Sequence, residues 1–193
     1  MKILENKFEI HDAVTETIQQ NEEDNSSTGK NQLKIMSCHG PDHKDIGLMS
    51  LLGPVFIKII KSPNWIFHEV TGIYSEERLV EKIIQCEKVI EAEDFLLKAF
   101  ITVNSPTVIC PLIIGENDVL LGIYHEQDKT PKKAIHLQGK ECFDLFNSYL
   151  TSLWVKPNNY TLRDDRGINN DQVAMKKNKL SRIINIENKE NTP

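Results

Sequence analysis

Hydrophobic and polar residues alternate along the chain with a period that changes between that of strands and that of helices. Short apolar runs at "QLKIMSC", "NWIFHEVTGIY" and "AFITV" predict three strands. The segment "SEERLVEKIIQCEKVI" predicts a helix, because its apolar residues recur at helical spacing. The apolar segment "LMSLLGPVFIKIIK" predicts another helix, broken near its Gly-Pro pair.

The second half of the chain continues this alternation. The stretch "TVICPLIIGENDVLLGIY" predicts two strands joined at "GEND", where Gly115 and Asn117 supply the turn. "KAIHLQG" predicts a further strand, and "KECFDLFNSYLTSLW" predicts a closing amphipathic helix. The resulting order β, α, β, α, β, β, β, α indicates an α/β fold in which helices sandwich a mixed β-sheet.

Two changes in composition divide the chain. Residues 1–20 predict an N-terminal helix with Phe8, Val14 and Ile18 on one face, and the turn-rich residues 21–32 predict a polar loop. The α/β domain is expected at residues 33–154. Residues 155–193 are rich in Asn and poor in aromatic residues, which predicts a weakly ordered C-terminal extension. A chain that ends near residue 156 is therefore expected to keep its thermal stability.

Composition limits the class of protein. With 193 residues, of which 39% are hydrophobic, the chain can build one domain of ordinary size. The four cysteines form no C-x-x-C pair, which indicates reduced thiols. The start "MKILENKFEI" lacks the apolar core of a signal peptide, and no run is long enough to span a membrane. These features predict a soluble, cytoplasmic protein.

Charge is unevenly distributed. The formal net charge of −5 gives the whole protein no electrostatic reason to bind DNA or an anionic membrane. Residues 155–193 carry eight basic and five acidic residues, a balance of +3, so the remainder carries −8. Within them, "VAMKKNKLSRII" has the pattern of a short basic amphipathic helix suited to an acidic protein partner, RNA or a membrane surface; a solvated tail is the alternative. No helix-turn-helix is readable.

The densest polar cluster is "SCHGPDHKD", directly after the first predicted strand of the α/β domain, where α/β folds often place ligand contacts. His39, Asp42 and His43 are therefore candidate ligand-binding residues for a small anionic or nucleotide-like molecule; a solvated turn is the alternative. His39 and His43 would form a metal pair on a helix, but Gly40 and Pro41 disfavour a helix here, so no metal site is predicted.

Other polar residues carry weaker signals. Arg78 lies near the start of the best-defined helix, whose N-terminal amides could hold an anion with its help, although Glu76 and Glu77 compete for that role. His68 lies inside a predicted strand and is interpreted as a packed or edge residue. The sequence contains no G-x-S-x-G elbow, P-loop or dinucleotide fingerprint, so no cofactor is predicted.

From about residue 33 to 154 the chain resembles the small phospholipase D-like domains that occur as single-copy modules in bacteria. The resemblance is carried by the order of elements and by the phrases "TGIYSEERL", "LIIGENDVLLGI" and "AIHLQGKECFDLFNSYLTSLW". It implies a mixed sheet sandwiched by helices. It also implies a homodimer, because single-copy members commonly pair two domains across the site.

Active members of this superfamily carry H-x-K-x-x-x-x-D on the hairpin, followed by a Gly-Ser pair. The histidine is the nucleophile, and the lysine holds the phosphate oxygens. The resemblance places Val108 at the histidine, Cys110 at the lysine, Gly115 at the aspartate and Ile123 at the serine. The resemblance therefore implies a degenerate site, and no catalytic residue is predicted.

Two other histidine-lysine pairs do not restore the site. His125 and Lys129, like His136 and Lys140, are four residues apart, which is about 13 Å on an extended strand and too far for one phosphate. The sequence thus favours a pseudoenzyme: a non-catalytic intracellular sensor, regulatory or interaction module. Two alternatives stay open, namely a divergent phosphodiesterase or nucleotide-acting enzyme that uses the 38–45 loop, and a nucleic-acid-associated regulator that acts through its basic C-terminal tail.

Overall fold

A mixed nine-stranded sheet forms the centre of the molecule in the computed structural model. The structure describes residues 1–24, 29–37, 48–73, 76–89, 92, 94–101, 109–123, 133–155, 160–164, 167–175, 177–178 and 182. The strands are β1 (Lys2–Leu4), β2 (Asn31–Ser37), β3 (Trp65–Ile73), β4 (Phe95–Ile101), β5 (Ile109–Ile114), β6 (Asp118–Ile123), β7 (Lys133–Gln138), β8 (Tyr160–Asp164) and β9 (Gly167–Ile168). The helices are α1 (Lys7–Asp24), α2 (Leu48–Ile60), α3 (Glu76–Lys88) and α4 (Lys140–Trp154).

The strand order is β1-β7-β6-β5-β2-β3-β4-β8-β9. The central strands β2, β3 and β4 pair in parallel, and every other described pairing is antiparallel. This topology confirms the predicted α/β class with a mixed sheet. The parallel centre follows from the sequence, because α2 and α3 connect strands that run in the same direction.

Alternating side chains divide the core into two layers. Leu33 on β2 and Phe67 on β3 face a cluster that includes buried residues of α1, α2 and α3. Met36 and Val70, on the same two strands, face a second cluster with α4. Since successive residues of a strand point to opposite faces, this parity assigns α4 to one side of the sheet and the other three helices to the opposite side.

The N-terminal region differs from the predicted helix and loop. β1 pairs with β7 at one edge of the sheet, and α1 continues to Asp24, into the predicted polar loop. Asn6 caps α1 by accepting hydrogen bonds from the backbone N–H groups of Phe8 (3.0 Å) and Glu9 (3.1 Å). Phe8 itself is 60% exposed, because the buried face of α1 is centred on Ile10, Val14 and Ile18.

The prediction of a weakly ordered extension from residue 155 was wrong for residues 160–164 and 167–168. β8 pairs with β4, and the Leu162 side chain is only 1% exposed. Arg163 is also buried, and its guanidinium donates hydrogen bonds to the backbone oxygens of Phe95 (3.1 Å) and Ala92. The segment is ordered because β4 offers a free edge, which the sequence of β8 alone does not reveal.

Two further predictions need adjustment. α2 is continuous through Pro54, because the residues buried on both sides of the proline, Leu52 and Phe56, offset the loss of one backbone hydrogen bond. The third strand, expected at residues 99–103, occupies Phe95–Ile101. None of the helices in the described ranges is long and apolar enough to cross a membrane.

Candidate functional site

The hairpin of β5 and β6 is retained as a structural element. Its strands pair from Ile109 opposite Ile123 to Ile114 opposite Asp118, and β5 also pairs with the central strand β2. The fully buried Ile113 and Ile114 anchor it in the two core layers. The hairpin therefore contributes packing at the middle of the sheet.

Gly115, at the turn, occupies the position that the resemblance gives to the catalytic aspartate. Its φ of +63° lies in the left-handed region, which residues with side chains rarely adopt. A Cβ atom there would overlap Oδ1 of Asn21 and lie 2.7 Å from its Cγ. The Gly115 N–H donates to the backbone oxygen of Gln32 at 2.8 Å, which holds the turn in place. A side chain at this position would be strained by the backbone conformation, and it would displace the Asn21 side chain.

The other predicted site residues divide into two groups. His39, Asp42 and His43 lie outside the described residues, as does Val108; β2 ends at Ser37, just before the polar segment. Arg78 lies on α3, and its side chain is only 4% exposed.

The Arg78 guanidinium donates to Glu81 Oε2 (2.7 Å) and to Thr71 Oγ1 (3.3 Å). It is thus held between α3 and β3. A role for Arg78 in ligand binding stays a prediction.

A buried ion pair lies next to Arg78. Lys82 Nζ is 2.5 Å from Glu69 Oε1 and also donates to Gln85. Burial lowers the pKa of Lys82, an effect that Glu69 partly offsets. Burial and the Glu69 charge raise the pKa of the Cys86 thiol to about 12, so this thiol is not a nucleophile at neutral pH. The α3 side of β3 therefore has a structural polar cluster. Among the described residues, no group of three or more His, Cys, Asp or Glu side chains could hold a metal ion.

A small cavity lies on the opposite face of the sheet, under α4. Its volume is about 190 Å³. We call it the α4-side cavity; it is lined by Lys34, Ile35, His68, Val70, Leu150, Thr151 and Trp154. Lys34 and His68 are directly paired neighbours on β2 and β3, and Lys98 on β4 pairs with Val70. Because paired residues share a face, Lys34, His68 and Lys98 all project toward α4.

Aromatic and cationic groups meet at this cavity. The His68 ring stacks on the Trp154 indole, with centroids 5.0 Å apart and planes inclined by 17°. Lys98 Nζ lies 4.7 Å from the Trp154 ring centroid and donates to the Trp154 backbone oxygen at 2.9 Å. Lys34 Nζ donates to Asn147 Oδ1 at 2.6 Å. Within the described part of the chain, neither lysine has a carboxylate at ion-pair distance.

These contacts set the charge of the cavity. Burial, together with the nearby Lys34 and Lys98, lowers the pKa of His68 to about 4. Burial also lowers the pKa of both lysines. His68 is therefore neutral and a weak general base at pH 7, whereas an ammonium group stands on each side of it. Of the two lysines, Lys34 lines the cavity, whereas Lys98 contacts the cavity-lining Trp154.

Sequence analysis did not identify this cavity. Lys34, His68 and Lys98 lie on three different strands, and His68 was interpreted as a packed or edge residue. His68 does pack, against Trp154. The missing information was the register of β2, β3 and β4, which places the three side chains together.

Comparison with solved structures supports the fold. Phosphatidylserine synthase from Haemophilus influenzae is similar to this chain with a TM-score of 0.55 and 10% sequence identity, over 94% of this chain and 42% of that chain. Lower similarity is found to an archaeal chromatin protein whose structure shows a novel mode of DNA binding (TM-score 0.49, 8% identity, 79% and 50% covered) and to polyphosphate kinase from Porphyromonas gingivalis (0.48, 7%, 94% and 29%). This chain thus spans half or less of each of these proteins.

No family model matches the sequence, and no curated protein matches it. At such low sequence identity, the structural similarity is informative about the fold alone. The similarity to phosphatidylserine synthase agrees with the mixed sheet and the helices described above. The chain has a phospholipase D-like α/β fold.

Proposed function

We propose that this protein is a non-catalytic regulatory or interaction module built on a phospholipase D-like fold. The observation that carries the proposal is Gly115. Glycine stands where the resemblance expects the aspartate, and its left-handed backbone and its contact with Asn21 disfavour a side chain there. The sequence also has Val108 and Cys110 at the positions of the nucleophilic histidine and the phosphate-holding lysine. A phosphohistidine mechanism needs both of those groups.

The hairpin has a structural role that does not depend on these groups. Ile113, Ile114 and Val119 are fully buried, and the hairpin joins β2 to β7 across the sheet. Burying side chains of this size stabilises the fold by about 1.5 to 3 kcal/mol each. Loss of chemistry with retention of the hairpin is therefore consistent with a scaffold that acts by binding.

Hydrolysis of bis(4-nitrophenyl) phosphate tests this proposal. We expect the native chain to release no 4-nitrophenol above the protein-free rate between pH 5 and 9. His39→Ala and, as a matched histidine control, His11→Ala should give the same result. His11 lies on α1 and contacts Asp12 at 3.1 Å. Robust hydrolysis that His39→Ala abolishes and His11→Ala preserves would instead support a divergent enzyme that uses the 38–45 loop.

Other parts of the sequence-based interpretation stay predictions. They are the ligand-binding role of His39, Asp42, His43 and Arg78, the cytoplasmic location, the homodimer, and a protein or nucleic-acid partner at the basic C-terminal residues. One of those basic residues, Lys177, forms an ion pair with Glu76 of α3 at 3.0 Å. A partner that binds this segment would have to compete with that contact, which at an exposed site is worth about 0 to 1 kcal/mol.

A further inference from the structure

We propose that the outer face of α3 is an interface between two copies of this chain, whose α3 helices pack against each other in antiparallel orientation. We call this surface the α3 stripe; all of its residues line one groove of about 530 Å³, and they are Glu77, Val80, Glu81, Ile84 and Lys88. The inference deepens the proposed role as an interaction module, on which its functional meaning rests, by naming the partner. The hairpin of β5 and β6 contributes nothing to this surface.

The apolar centre of the stripe is exposed. Val80 and Ile84 are 44% and 45% exposed, whereas Leu79 and Cys86 on the other side of α3 are buried. Because Val80 and Ile84 are four residues apart, they are neighbours on one face of the helix. Contact with a second apolar surface would remove both side chains from water, which is favourable in proportion to the apolar area that is buried.

The ends of the stripe carry opposite charges. Glu77 lies in the first turn of α3 and Lys88 in the last turn, and both residues are exposed. They are 11 residues apart, which is about three helical turns and about 16 Å, so both side chains leave the helix on the same side. The stripe thus has an acidic end, an apolar centre and a basic end.

This order of charges makes the stripe complementary to itself. In an antiparallel pair, Glu77 of each copy lies opposite Lys88 of the other copy, and Val80 lies opposite Ile84. The two pairings are compatible, because both have their midpoint close to Lys82 on the helix. A two-fold axis therefore produces two ion pairs around one apolar centre.

Neighbouring carboxylates do not disturb this pattern. Glu81 accepts a hydrogen bond from the Arg78 guanidinium at 2.7 Å. Beside the stripe, Glu76 forms an ion pair with Lys177 at 3.0 Å. Glu87 lies on the flank, about 100° around the helix from the basic end of the stripe. The charges that face a second copy are therefore mainly those at the two ends of the stripe.

A second copy fits the stripe better than a uniformly basic or uniformly acidic helix, because such a helix would meet a like charge at one end. Two α3 helices of 13 residues form a small contact, since each helix is about 20 Å long. Stable interfaces of standard size bury about 1,600 Å², so we expect a weak dimer with a Kd of about 10 to 100 μM.

Sedimentation velocity of the full chain at about 5 to 500 μM tests the interface. We expect a reversible increase of the sedimentation coefficient with concentration. Glu77→Lys should weaken the dimer about tenfold or more, because two lysines then face each other at both ends of the contact. Lys88→Glu should have the same effect through facing carboxylates. A one-to-one mixture of the two variants should dimerise about as tightly as the native chain, since opposite charges face each other again.

Glu141→Lys is the matched control. Glu141 is exposed and lies in the first turn of α4, as Glu77 does in α3, so this substitution has a similar cost at a helix N-terminus. It should leave the dimer unchanged. Val80→Ser removes exposed apolar area without a change of charge, and it should also weaken the dimer.

The interface would be overturned by a chain that stays monomeric at about 500 μM, by a dimer that neither charge substitution weakens, or by a mixture that dimerises no better than each variant alone. A monomer whose Val80 and Ile84 methyl NMR signals respond instead to the synthetic peptide "QVAMKKNKLSRII" would assign the stripe to a basic partner and overturn the second copy as its occupant. Phosphodiester hydrolysis would overturn the proposed function and would leave the sedimentation result unaffected.

Discussion

Replacing Gly115 with alanine should destabilise the protein by about 2 to 3 kcal/mol. A residue with a Cβ atom at a φ of +63° costs about 1 to 2 kcal/mol. The new methyl group would also overlap Oδ1 of Asn21 and force that side chain to move. Asn21 Nδ2 donates to the backbone oxygen of Thr17 at 2.8 Å, and loss of this bond costs about 0.5 to 1.5 kcal/mol.

Urea unfolding of four chains measures these contributions: the native chain, Gly115→Ala, Asn21→Ala and the double variant. In the Asn21→Ala background the overlap is gone, so Gly115→Ala should cost only the backbone term, about 1 to 2 kcal/mol. Gly53→Ala is a matched control, because Gly53 lies within α2 and a Cβ there would contact nothing within 4 Å. It should stabilise the protein by about 0.5 to 1 kcal/mol.

Two results would refute this reasoning. If Gly115→Ala lowers the free energy of unfolding by less than about 0.5 kcal/mol, the ordinary range for neutral surface changes, the turn can accept a side chain. If it costs the same with and without Asn21, the overlap with Asn21 is not the cause. The first result would also show that the aspartate position accepts a side chain without strain.

Three further outcomes follow from buried groups. A chain that ends at residue 155 lacks β8 and the buried Leu162, so its Tm in differential scanning calorimetry should fall by about 10 °C or more. An unchanged Tm would show that β8 does not stabilise the fold. Lowering the pH from 6.5 to 4 should reduce the free energy of unfolding by about 1 to 3 kcal/mol. The pKa of His68 is about 4 in the folded chain and 6.5 in the unfolded chain, so the unfolded chain takes up the proton first as the pH falls. His68→Gln should remove this component of the pH profile. Lys82→Met should cost about 3 to 5 kcal/mol in urea unfolding because it breaks the buried ion pair with Glu69, and adding Glu69→Leu should recover much of that loss. If the single and the double variant lose the same free energy of unfolding, the charge is not the cause.

Local patterns were sufficient for the elements that build the core. The helical spacing of the apolar residues in "SEERLVEKIIQCEKVI" predicted α3, and two of these residues, Leu79 and Cys86, are buried. The turn at Gly115 and Asn117 predicted the hairpin, whose strands pair as expected. These predictions succeeded because spacing within one element determines which of its faces is apolar.

Non-local contacts explain what the sequence did not reveal. β8 is a five-residue strand, "YTLRD", whose burial depends on the free edge of β4 more than 60 residues away. Lys34, His68 and Lys98 meet only because three strands pair in one register. The contact between Asn21 and Gly115 likewise joins α1 to a distant turn. Periodicity has no information on which segments pair or in what register.

The central claim is that this phospholipase D-like fold acts without phosphodiester turnover, and ³¹P NMR tests it most directly because it needs no chromogenic substrate. The native chain would be incubated with a dinucleoside phosphate and, separately, with bis(4-nitrophenyl) phosphate, and spectra would be recorded over a day. The account predicts that the diester signals persist at their initial intensity, with no monoester or phosphate signal above the protein-free sample. Steady conversion of either diester, in proportion to protein concentration and lost in His39→Ala, would contradict it.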